Sequence, residues 1–154
     1  MINSELLALS ALQSEYPKHI ITHSSAYQDM KWHYDFIITN PITSIKKYVE
    51  SKYKEEGLGE FMWYEAANKY GDRGYGCADW LLHNIPNGWI MLGMDNLRRS
   101  VHTQVIKNGG LTIFTDKEKV GNFQAYSRTK WGNSDILIKL PYEFVFSLPH
   151  KLIY

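Results

Sequence analysis

Cysteine is nearly absent from the chain: Cys77 is the only one in 154 residues. One thiol excludes an intramolecular disulfide and a cysteine-built zinc cage, and a reducing compartment is its simplest home. Cys77 itself is expected in the core rather than as a nucleophile. No stretch approaches the roughly 20 consecutive apolar residues of a membrane helix. The opening Met1-Ile2-Asn3-Ser4-Glu5 has neither the basic nor the apolar region of a secretory leader. The expectation is a soluble protein of the cell interior with no membrane partner. Charge of one sign is equally scarce, with a net charge of +1, so any attraction for a polyanion must come from a local surface. The loop Gly71-Asp72-Arg73-Gly74-Tyr75-Gly76 lacks the Gly-Lys-Ser/Thr ending of a phosphate-binding P-loop.

What is present is the balance of an ordinary globular protein, 44% hydrophobic and 21% charged. The length suits one domain over residues 1–154, large enough to close a core without staples. There is no repeat, low-complexity tract or linker to divide it. Eleven Tyr and five Trp are many, and such rings serve as core or as stacking platforms for bases.

Residues 4–13 read as a capped helix with its leucines on one stripe, stopped by Pro17. A short strand is expected over 19–23. Apolar and polar residues alternate over 32–40 and again over 45–54, on either side of Pro41-Ile42-Thr43-Ser44, which predicts a β-hairpin. Residues 61–70 look helical up to Gly71. Two further strands, 78–84 and 89–94, flank Pro86-Asn87-Gly88 as a second hairpin. Asp95 is placed to cap a helix to about Lys107, and 111–115, 123–127 and 136–140 read as short strands. This order predicts an α/β fold, a mixed central β-sheet flanked by helices.

With a four-residue loop at 41–44, Asn40 pairs with Ile45, and the antiparallel register sets Asp35 opposite Glu50 and His33 opposite Lys52. Tyr34, Phe36, Ile38, Ile45, Val49 and Tyr53 then share a core face, and His33, Asp35, Tyr48, Glu50, Lys52 and Lys54 the polar one. Two carboxylates set against each other roughly 5 Å apart repel. A bound cation turns that repulsion into coordination, and Mg²⁺ (or Mn²⁺), which keeps waters and bridges to phosphate, suits such an oxygen-rich site. Lys52, on the same face, is positioned to orient an attacking water and offset charge on phosphoryl oxygens. The Ser51 carbonyl is a further candidate ligand.

An Asp followed by Glu-x-Lys on the next strand, here Asp35 and Glu50-Ser51-Lys52, resembles the signature of the PD-(D/E)XK nuclease superfamily. The segments 28–35, 74–79 and 126–135 look like small nuclease-like proteins of phages and prophages. The resemblance covers about half the chain. It implies a restriction-endonuclease-like core (αβββαβ) with C-terminal strand additions, and a Mg²⁺-dependent endo- or exonuclease hydrolysing DNA in the cytoplasm of a bacterial or phage-infected cell, with a homodimer open to it. The other function it implies is an inactive nuclease-fold module that binds nucleic acid or a host protein. Tyr34 stands where the family often has proline, and Glu5 or Glu15 is all that the first helix offers as an extra carboxylate.

Asp29 and His33 lie just upstream and are candidates for a further ligand or proton relay. Glu65 and Asn68 would share a helix face. Arg73, Arg98, Arg99, Arg128 and Lys130 are the candidate phosphate contacts. Turn chemistry suffices for Asp79 and Asp135.

Overall fold

The computed structural model describes residues 3–54, 61–67, 74–106, 117–120, 123–127 and 136–154. Contacts divide the chain into two compact units, where the sequence reads as one domain. One unit comprises residues 1–57, 76–94 and 149–154; the other comprises 58–75 and 95–148.

In the first unit, helix α1 (Ser4–Glu15) is capped by Asn3, whose side chain accepts a hydrogen bond from the Leu6 N–H, one residue earlier than the expected start. Tyr16 ends it ahead of Pro17. Its buried stripe is Ala8, Ala11 and Leu12, while Leu6 and Leu7 are exposed. That stripe packs on Phe36, Ile38, Val49, Leu82, Met91 and Ile153, which form the core, each fully buried side chain contributing roughly 1.5–3 kcal/mol.

The sheet beneath it contains β1 (Ile20–His23), β2 (Phe36–Thr39), β3 (Lys46–Lys52), β5 (Trp80–Ile85), β6 (Gly88–Gly93) and β10 (His150–Ile153), in that order. All neighbours are antiparallel except β3 and β5, which run parallel. The protein is therefore mixed α/β with a mostly antiparallel sheet. The β5–β6 hairpin turns on Pro86-Asn87, with Ile85 opposite Gly88. Proline fixes the first φ near −65° and Asn87 takes φ 66°, the combination a type II turn requires.

In the second unit, β4 (Phe61–Ala67), β9 (Ile136–Pro141), β8 (Phe123–Ser127) and β7 (Lys117–Val120) form an antiparallel sheet. The expected helix over 61–70 is this strand β4: Met62 and Tyr64 are buried and alternate with partly exposed Phe61, Trp63 and Glu65, and Met62 to Glu65 pair with Leu140 to Leu137. The Glu65 half of the proposed helix face is thus on a strand, and Asn68 lies outside the described residues. Helix α3 (Met94–Ile106) follows the expectation from Asp95. Helix α4 (Tyr142–Ser147) precedes β10, and neither was anticipated. The strand expected over 111–115 lies outside the described residues. Among the described residues no helix is long and apolar enough to cross a membrane.

Candidate metal centre

The β2–β3 hairpin has the anticipated register, with Phe36 opposite Val49, Ile37 opposite Tyr48 and Thr39 opposite Lys46. Asn40 fixes the turn. Its N–H donates to the Ile45 carbonyl at 2.9 Å, and its Oδ1 accepts from the Ile42 and Thr43 N–H groups at 2.9 and 3.2 Å, an Asx-type closure. Phe36, Ile38 and Val49 are buried as expected. Ile45 is 58% exposed and does not join them.

At Phe36 the regular ladder stops, and the side chain of Asp35 takes over. Its Oδ2 accepts from the Ser51 N–H at 2.8 Å and the Ser51 hydroxyl at 3.0 Å, while its own N–H donates to the Val49 carbonyl at 2.8 Å. Ser51 thus enters the site by donating to Asp35. Bonds to a carboxylate are the stronger kind, so Asp35 is held in one orientation beside β3.

The chain reaches Asp35 through helix α2 (Ala26–Trp32), where the sequence suggests a strand from residue 32. Ser25 and Gln28 form a reciprocal capping box, and His33 ends the helix in the left-handed region, φ 56°, with its N–H on the Asp29 carbonyl at 3.0 Å. The turn at Gly76 and Cys77 braces this end: the Cys77 N–H donates to the Trp32 carbonyl at 2.8 Å. A Cβ on Gly76, which has φ 46°, would stand 2.3 Å from that carbonyl, so only glycine fits. Cys77 is exposed rather than in the core, because its backbone, not its thiol, makes the inward contact.

Together these elements gather Asp29, Asp35 and Glu50, one carboxylate oxygen of each lying within 4.8 Å of the others, a group that could hold a metal ion. Asp29 is exposed, Asp35 half-buried and Glu50 buried. The expected polar face of β3 is therefore not all solvated. Glu50 stands in register with buried Leu81 on the parallel strand β5. Its Oε1 is 3.0 Å from the Lys52 ammonium, and its Oε2 is buried with no hydrogen-bond partner among the described residues.

Burial pushes the Glu50 carboxyl up to about 8; Lys52 opposes the rise and Asp35 adds to it. Desolvation, then the Asp35 charge, also raises the Asp29 carboxyl, with Glu5 adding to the same rise while Lys52 and His33 oppose it. Beside Lys52 in register is His83, buried, with Nδ1 2.7 Å from the Asn84 carbonyl oxygen. Burial pulls its imidazole down to about 4, so it is neutral at neutral pH. Asn84 clamps the end of β3, accepting from the Lys54 N–H at 2.7 Å and donating to the Lys54 carbonyl at 2.9 Å.

Asp35, Glu50, Ser51 and Lys52 are thus brought together as their spacing suggests. Asp29 belongs with them, and the Ser25-x-x-Gln28 box was the sequence signal for the helix that delivers it. His83 was not anticipated; only the β3–β5 pairing places it. Of the candidate phosphate contacts, Arg98 is half-buried on α3 with its guanidinium donating to the Gly74 carbonyl at 3.1 Å, a bracing contact within the second unit. Arg99 is exposed on the same helix. Arg73, Arg128 and Lys130 lie outside the described residues. Asp79 is an internal tie, its Oδ2 accepting from the Tyr48 N–H at 2.9 Å. Comparison of the chain with models of protein families, with curated proteins and with solved structures finds no match in any of the three.

Proposed function

We propose that the protein is a divalent-cation-dependent phosphodiesterase acting on nucleic acid, with DNA as its substrate. The observation that carries this reading is the convergence of Asp29, Asp35 and Glu50 beside the Lys52 ammonium, with a buried Glu50 oxygen that has no hydrogen-bond partner among the described residues. A buried carboxylate oxygen without a partner costs stability, and a cation relieves that cost. Oxygen donors from carboxylates select a hard ion such as Mg²⁺ or Mn²⁺. When bound, such an ion lowers the pKa of water and offsets charge on a phosphoryl oxygen.

The protein's own groups supply the rest. Asp35, just ahead of β2 and fixed by Ser51, and Glu50, on β3 and fixed by Lys52, would hold the ion, and Asp29 would complete the set from α2. Lys52, with a side chain 42% exposed, can leave Glu50 to donate to a phosphate oxygen or to the attacking water. The resemblance to PD-(D/E)XK nucleases supports the same reading. So does the element order of the first unit, in which a helix precedes three antiparallel strands, with α2 inserted between the first two, and β5 lies parallel to β3. The second helix of the restriction-endonuclease-like order is missing from this support, since residues 61–67 are a strand.

The test is cleavage of plasmid and oligonucleotide DNA with Mg²⁺ or Mn²⁺, alongside calorimetric titration of Mn²⁺. Glu50→Ala and Lys52→Ala should abolish cleavage, and Asp35→Asn should abolish Mn²⁺ binding. Cleavage that survives unchanged in Glu50→Ala rules the assignment out. One observation favours a second reading, a nuclease-fold module that binds nucleic acid or a host protein without cutting. Lys52 already supplies a cation to Glu50, and absence of Mn²⁺ binding would favour that module.

A further inference from the structure

Helix α2 brings Asp29 to the cluster, yet it has no buried residue. Apart from half-buried Gln28 its other side chains are exposed, although three of them are large and apolar: Tyr27 is 54% exposed, Met30 69% and Trp32 37%. Scattered exposed apolar residues are ordinary, but the Tyr27 and Trp32 rings are in contact and so form one contiguous patch. The patch is also organised. The Tyr27 and Trp32 rings meet edge to face with centroids 5.7 Å apart. The Lys31 ammonium lies 5.5 Å from one centroid and 5.6 Å from the other, and donates to the Tyr27 hydroxyl at 3.0 Å.

Helical spacing ties this patch to the carboxylates. Asp29 and Trp32 are three residues apart and so neighbours on the helix surface, and Tyr27 and Lys31 are four apart. The helix end that carries Trp32 is fixed by the Cys77 N–H and by close contact with Gly76, so the rings are presented from an anchored element.

From this we infer that Trp32 and Tyr27 stack on an unpaired base next to the phosphate that a cation at the carboxylate cluster would hold, with Lys31 on the neighbouring phosphate. The ligand class is single-stranded or locally unpaired nucleic acid. Every base has a π-face, so aromatic stacking is tolerant of sequence, and an ammonium between two rings binds a backbone phosphate as a point charge. The inference rests on the phosphodiesterase reading for the position of the phosphate, but its test reads binding rather than cleavage.

The full chain is titrated without divalent cation against a labelled oligothymidylate of roughly 20 nucleotides and against an abasic deoxyribose-phosphate strand of equal length. The oligothymidylate should bind more tightly. Trp32→Ala should weaken it by about tenfold and remove the advantage over the abasic strand, leaving Mn²⁺ affinity unchanged. Tyr27→Ala, at the more exposed ring, should act in the same direction and serves if Trp32→Ala fails to fold. Lys31→Gln should lower the slope of log affinity against log salt by about 0.7. Equal binding of the two strands, or a base-dependent advantage that both aromatic variants retain, overturns the inference. Base-dependent binding without any cleavage overturns the phosphodiesterase reading alone.

Discussion

Replacing Glu50 by Gln should stabilise the protein, and by an amount that grows with pH. Glu50 is buried with its carboxyl raised from 4.5 to about 8, so the folded state holds a proton that the unfolded chain gives up. The sign follows from linkage. Stability is intact below the unfolded value and is lost as pH rises toward the folded one. Ionisation of this one group then costs about 1 kcal/mol at pH 5, about 3 kcal/mol at pH 7 and about 4 kcal/mol at pH 8. Glutamine mimics the protonated carboxyl, with an amide in place of the hydroxyl and an oxygen still able to accept from Lys52. It escapes the cost. In a chain of this length about 3 kcal/mol corresponds to roughly 10 °C in melting temperature. Thermal melts of both proteins in chelator from pH 5 to 8 should therefore diverge steadily, the variant melting higher. Saturating Mn²⁺ should raise the wild type toward the variant by stabilising the charged form, and leave Glu50→Gln unmoved. A difference in melting temperature that stays flat across this pH range refutes the reasoning.

His83 has the opposite pH dependence. Its folded value is lowered from 6.5 to about 4, so the stability from keeping it neutral is present above 6.5 and is lost, by about 3 kcal/mol, as pH falls through 4. Acid melts of His83→Gln should lack that loss. Asp35→Ala strands the Ser51 N–H and hydroxyl, and should cost about 1–3 kcal/mol in denaturant titrations as well as Mn²⁺ binding. Gly76→Ala meets both a positive φ and the Trp32 carbonyl, so it should cost 2 kcal/mol or more and weaken Mn²⁺ binding through α2. A Gly76→Ala melt equal to wild type contradicts that packing.

The parts of the site that were legible are local. Strict alternation on both sides of a four-residue turn fixes the β2–β3 register, and the register fixes which side chains meet. The misreadings have a physical pattern. Over residues 61–67 both faces of β4 carry aromatic or large apolar side chains, Phe61 and Trp63 on one and Met62 and Tyr64 on the other, so no polar alternation betrays the strand. Helix α2 has an exposed aromatic patch instead of a buried stripe and shows no amphipathic pattern; only its capping box marks it. The burial of Glu50 depends on β5 arriving parallel from 31 residues downstream, with Leu81 opposite Glu50. No spacing within the hairpin encodes that, yet it decides the electrostatics.

Charge balance explains why the site has this composition. With Glu50 ionised, the three clustered carboxylates have the Lys52 ammonium beside them among the described residues, and the excess over that pairing is two negative charges, which one divalent cation cancels. Without it, the cheapest way to shed charge is to protonate the most buried acid, and burial accordingly raises the Glu50 carboxyl to about 8. Lys52 cannot neutralise the group by itself, because its ammonium pairs with Oε1 while Oε2 is buried with no hydrogen-bond partner among the described residues. A monovalent partner at one oxygen and an orphaned second oxygen make a state whose energy falls when a hard cation arrives and the proton leaves. The cation and the proton therefore compete for Glu50. Mn²⁺ affinity should rise close to tenfold per pH unit between about 6 and 8 and level off above, and an affinity independent of pH in that window would separate Glu50 from the metal.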